Sequence, residues 1–62
     1  MKVFMLGKRT IINVEEIAGA KISNNLLVVY LKNGTQFSEA FKNSEASVEE
    51  MLLLMDMMKE TN

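Results

Sequence analysis

Chemistry in this chain has few places to come from. The loop Gly7-Lys8-Arg9-Thr10, the adjacent acids Glu15-Glu16 and Glu49-Glu50, and Tyr30 with scattered serines and threonines are the candidates. Gly7-Lys8 matches the closing pair of a phosphate-binding loop, but that motif needs a glycine five residues before the pair and a hydroxyl residue directly after it. Lys2 stands at the first position and Arg9 at the second, so a turn is the better reading. Adjacent acids on a strand point to opposite faces. On a helix they diverge by about 100°. Neither pair can therefore share a proton as an acid and base, and Glu50 sits where a helix cap would use it. An oxygen-ligand metal site needs several carboxylates converging in one loop, whereas here they are spread along the chain.

What is missing weighs as much. The chain has no histidine and no cysteine. That removes the commonest general base and metal ligand, thiolate metal sites and disulfides. Hydroxyls with no base to activate them are weak nucleophiles. The sequence is read as non-enzymatic, with no catalytic residues, no cofactor and no metal.

The elements that carry these residues follow from hydrophobic periodicity. Val3 to Leu6 is a short apolar run before the polar turn Gly7-Lys8-Arg9, and Thr10 to Val14 is rich in β-branched residues, as in a paired strand. Residues 15–22 fit either a strand, by the alternation of Ala18, Ala20 and Ile22, or one helical turn through Val14, Ile17 and Ala18. After the turn signal Ser23-Asn24-Asn25 comes LLVVYL at 26–31, apolar at both parities. Such a strand is usually covered on both faces. Asn33-Gly34 predicts a two-residue type I′ hairpin turn, leading into a strand over 35–41. A polar loop over 42–46 precedes Ser47, with Glu50 at capping-box spacing, so the helix is expected over about 47–60. The fold class is α+β: a small antiparallel sheet of four to five short strands (residues 2–41) followed by one C-terminal amphipathic helix, in a single domain spanning 1–62.

The helix carries more apolar surface than one face can hide. Val48, Met51, Leu52, Leu54, Met55 and Met58 make one broad stripe at 100° per residue, and Leu53 and Met57 fall outside it. A 62-residue chain has a small core, and folds of that size usually add disulfides, a metal or an oligomeric interface; only the last is open here. The doubly apolar strand points the same way. The sequence therefore predicts self-association, a dimer above all, with a protein partner, and Leu53, Leu54, Met57 and Met58 as the interface. Methionine suits such a surface because its unbranched thioether repacks against different partners.

Net charge is −1, unevenly divided: residues 1–44 carry +3 and residues 45–62 carry −4. The competing reading is a nucleic-acid-binding regulator using Lys8, Arg9, Lys21 and Lys32 as a basic rim at one end of the sheet. Few aromatic residues are present to stack bases. Only four apolar residues separate Lys2 from Gly7. A signal peptide needs about 7–15 and a membrane span about 20, so a cytoplasmic protein without membrane association is expected.

Leu6-Gly7-Lys8, Asn13 with Ile17, LLVVYLKNG at 26–34 and SVEEMLLLM at 47–55 together make an outline. It resembles the small flagellar FlbD family, which includes the swarming motility protein SwrD. The resemblance covers most of the chain and implies a non-enzymatic accessory protein acting through protein contacts. The loop over 41–46 is longer than that family's and the helix is richer in methionine. A partial similarity to the β-rich LytTR DNA-binding domain rests on the Ile spacing and the Asn-Gly hairpin. A bacterial or phage accessory or regulatory protein of the same shape fits equally.

Overall fold

Two apolar layers meet over one face of a three-stranded sheet. The computed structural model describes residues 2–60. Strands β1 (Val3–Leu6) and β2 (Thr10–Asn13) form an antiparallel hairpin, with Phe4 opposite Ile12 and Leu6 opposite Thr10. A 3-10 turn over Val14–Glu16 leads into β3 (Ile17–Ser23), β4 (Leu26–Leu31) and β5 (Gln36–Ala40), a second antiparallel sheet with β4 at its centre. Helix α1 (Ser44–Glu60) closes the fold. The five strands and one terminal helix make the small α+β fold read from the sequence, divided between two sheets.

The division happens at residues 13–17. The Asn13 side chain accepts a hydrogen bond from Glu15 N at 3.1 Å, while Val14 N donates to Lys2 O at 3.0 Å. A short polar side chain that bonds its own backbone two residues on offers the chain an alternative to the ladder. Residues 15–22 are thus both things: a helical turn through Glu16, then strand from Ile17, with a register shift between Ile17 and Gly19.

Strand alternation sets the core. Phe4, Leu6 and Ile12 point inward from the hairpin and meet Val14, Ile17, Leu27, Val29 and Leu54. Half-buried Ala20, Ile22, Leu31, Phe41, Met51, Met57 and Met58 pack around them. On the other face of β4, Val28 is buried outside this core, between its register neighbours Lys21 and Ser38. Leu26 and Tyr30, of the same parity, are half-buried, so this face of β4 is partly covered within the single chain.

The turn at 32–34 differs in type from the sequence expectation, and the turn expected at Ser23-Asn24-Asn25 lies at Asn24 and Asn25. Gly34 N donates to Leu31 O at 3.1 Å and Leu31 N to Thr35 O at 2.8 Å, which makes a three-residue loop. Gly34 takes φ 94° and Asn33 keeps a negative φ. This is a type I turn closed by a glycine bulge rather than a type I′ turn. Asn33 Oδ1 holds it by accepting from Thr35 N at 2.9 Å. At the other end of β4, Asn24 adopts φ 57°. Asn25 Nδ2 donates to Phe41 O at 2.6 Å and Phe41 N to Asn25 O at 2.8 Å, tying the end of β5 to this turn.

The helix begins at Ser44, three residues before the predicted start. Asn43 is the cap: its side-chain oxygen accepts from Ala46 N at 2.8 Å, and its carbonyl accepts from Ser47 N at 3.4 Å. Asparagine is among the strongest N-cap residues, and it stands far enough upstream to pull Ser44 to Ala46 into the first turn. Ser47 is instead fully buried. Its hydroxyl lies 2.8 Å from Ser44 O and 3.3 Å from Asn24 O and shares its proton between them. A side chain that small lets the helix settle close on the Asn24 turn. Among the described residues no helix is long and apolar enough to cross a membrane.

Candidate protein interface

Ser47 fixes how the helix is rotated, and the rotation decides which side chains stay outside. With Ser47 at the centre, 100° steps bring Met51, Leu54, Met57 and Met58 to the covered side, and these are the helix residues that pack in the core. Leu54 is 1% exposed. It is a core residue, and its place in the sequence-predicted interface is corrected. Met57 and Met58 are half-buried against the same core, so of the four predicted interface residues only Leu53, 57% exposed, lies open.

The apolar stripe read from the sequence is displaced by roughly 65° around the helix axis from the face that the sheets cover. Val48, Leu52 and Met55, assigned to the covered stripe, are exposed, Leu52 by 54%. They line one flank of an acidic ridge made by Glu45, Glu49 and Asp56, all exposed, with Leu53 on the other flank.

A second apolar surface was not assigned from the sequence. Val3, Met5 and Ile11 share the outer face of the hairpin, and Ile11 is 65% exposed. The signal was present: Val3 to Leu6 and Thr10 to Asn13 are apolar at both parities, as β4 is. One parity fills the core and leaves the other outside.

The hairpin and the helix lie side by side. Leu27 and Val29 present one face of the three-stranded sheet to both, since Phe4, Leu6, Ile12 and Leu54 all join them in one core. The helix contacts β3, β4 and β1. The hairpin turn reaches β5, because a Cβ on Gly7 would sit 2.5 Å from Glu39 Cδ. Hairpin and helix both turn their inner faces to this core, so the outer face of each is turned away from it.

The four candidate nucleic-acid residues are not brought together. Lys8 and Arg9 border a shallow hollow with Glu39, Phe41 and Lys42. Lys32 lies in the turn at the opposite end of β4, where its backbone N–H donates to Glu16 O at 2.8 Å. From Leu27 to Leu31 the strand rises about 13 Å. Lys21 is on the outward face of β3, opposite Val28. The expected basic rim at one sheet end is replaced by a cluster of Lys8, Arg9 and Lys42, with Lys21 and Lys32 elsewhere. Among the described residues no three acidic side chains gather as a metal site would require.

No protein-family model matches the chain, and neither a curated protein nor a solved structure matches it.

Proposed function

We propose that this chain is a non-enzymatic cytoplasmic accessory or regulatory protein of bacterial or phage type, working by self-association and by contact with another protein. One observation carries the reading: seven large apolar side chains stand open on the hairpin and the helix, namely Val3, Met5, Ile11, Val48, Leu52, Leu53 and Met55. Single apolar residues on a surface need no explanation, but groups of them on one face mark interaction sites; Val3, Met5 and Ile11 share the outer face of the hairpin and Val48, Leu52 and Met55 one flank of the helix. The flagellar FlbD resemblance of residues 6–8, 13–17, 26–34 and 47–55 supports a role of the same class. The nucleic-acid reading is weaker, because it needs Lys8, Arg9, Lys21 and Lys32 on one surface and they occupy three.

Self-association couples folding to concentration. The thermal midpoint, followed by circular dichroism, is expected to rise between about 5 and 500 µM protein. Identical midpoints across that range would contradict the reading.

A further inference from the structure

The two exposed apolar faces differ in charge, and this singles out how a second copy fits. The hairpin turn bears Lys8 and Arg9, both exposed, and residues 1–14 contain no acid. The helix bears Glu45, Glu49 and Asp56 on its outermost ridge. We propose that this side of the molecule is closed by a second copy in a two-fold dimer, with the helix of each protomer lying on the outer face of its partner's hairpin. The proposal rests on the self-association argued above and goes further by naming the two surfaces that meet.

Three arguments select this arrangement. In a two-fold dimer, a contact of patch i with patch j is repeated as j with i. Both patches must then be open on the side that meets the partner, and both outer faces are turned away from the shared core. Charge then discriminates among the pairings. Helix on helix sets acidic ridge against acidic ridge, hairpin on hairpin sets Lys8 and Arg9 against themselves, and like-charge juxtaposition is costly. Helix on hairpin sets the basic turn against the acidic ridge at both of its symmetric contacts, whereas a helix pair opposes that ridge with Lys59 alone. Area agrees as well. Val3, Met5, Ile11, Val48, Leu52 and Met55, each about half exposed, offer on the order of 500 Å² per protomer, which two-fold symmetry doubles toward the roughly 1,200 Å² of a small specific interface.

Charge exchange tests the arrangement directly. One variant carries Lys8→Glu with Arg9→Glu, the other Glu49→Lys with Asp56→Lys. All four positions are exposed. Circular dichroism checks that each variant keeps the fold, and sedimentation velocity measures association. Each variant alone is expected to raise the dimer dissociation constant by at least roughly tenfold, because both of its contacts become like-charged. The two variants mixed are expected to form a heterodimer about as tight as the parent dimer, since both contacts are again complementary. Ile11→Ser, which alters no charge, is expected to weaken the dimer by itself. A hairpin variant that dimerises like the parent, an Ile11→Ser protein unchanged in affinity, or a mixture that stays monomeric while the parent dimerises would overturn the proposal and leave self-association standing. A parent that is monomeric throughout would overturn both.

Discussion

Leu53 and Leu54 are neighbours in sequence with opposite fates, and truncating each measures the rotation of the helix. Leu54 is 1% exposed in the middle of the shared core, and Leu53 is 57% exposed. Leu54→Ala removes buried carbons and leaves a cavity between the helix and β4, which in close-packed cores costs about 2–5 kcal/mol. A chain of this length has a total stability of roughly 3–9 kcal/mol at ordinary per-residue values, so this one change takes about a fifth of it or more. At about 4–8 °C per kcal/mol for a small domain, a 3 kcal/mol loss lowers the midpoint by roughly 12–24 °C. Leu53→Ala keeps helix propensity nearly constant and, as a surface change, is expected to cost within about 0.5 kcal/mol. Urea and thermal unfolding followed by far-ultraviolet circular dichroism, at the lowest usable protein concentration, separates the two. Comparing both variants with the parent at one protein concentration keeps the mass-action contribution of association in common. Equal destabilisation by both variants would refute the described helix rotation, and with it the assignment of Val48, Leu52 and Met55 to the outside.

Four further outcomes follow from named contacts. Asn43→Ala removes the acceptor for Ala46 N and is expected to cost about 1 kcal/mol in a urea melt, as loss of a helix cap does. Ser47→Ala deprives the Asn24 and Ser44 carbonyls of their shared donor at a fully buried site, and a loss of roughly 1–2 kcal/mol is expected in the same assay. Gly34→Ala should destabilise by about 1 kcal/mol, because φ 94° is strained for any side chain, whereas Gly19→Ala meets nothing within 4 Å and should be near neutral. Raising salt from about 50 mM to 1 M should weaken the proposed dimer, since its opposed charges are screened over a few ångström at the higher concentration; an affinity that does not fall, read by sedimentation, would count against charge pairing across the interface.

The strand and helix pattern is legible because short apolar or β-branched runs between turn residues mark strands and 3.6-residue spacing marks a helix. VFML and LLVVYL are continuous apolar runs, TIIN is β-branched, and the terminal segment has helical spacing. The hairpin position at 32–34 was legible too, but its type was not. Asn-Gly is compatible with both a two-residue and a bulged three-residue loop, and only the bond from Gly34 N to Leu31 O separates them. The helix start was misplaced because Ser47 with Glu50 mimics a capping box, while Asn43 caps without an acid three residues on. That misplacement carried over into the site. An apolar count leaves serine out and widens the stripe to Val48, Leu52 and Met55 beside Met51, Leu54 and Met58, whereas the covered face is centred on Ser47 and Leu54. Periodicity says which residues share a face and does not say which face the rest of the chain covers. For the same reason the outer face of the hairpin is not distinguishable in the sequence. Its residues alternate with core residues of equal hydrophobicity, and only the packing of Phe4, Leu6 and Ile12 shows which parity is left outside.

Absolute mass in solution, by light scattering after size exclusion from about 10 µM upward, tests the central claim most directly. The monomer mass is 7.0 kDa. The account predicts a particle of twice that mass that persists on dilution into the low micromolar range. A particle of the monomer mass at every concentration would contradict self-association and would leave the exposed hairpin and helix faces to a different protein.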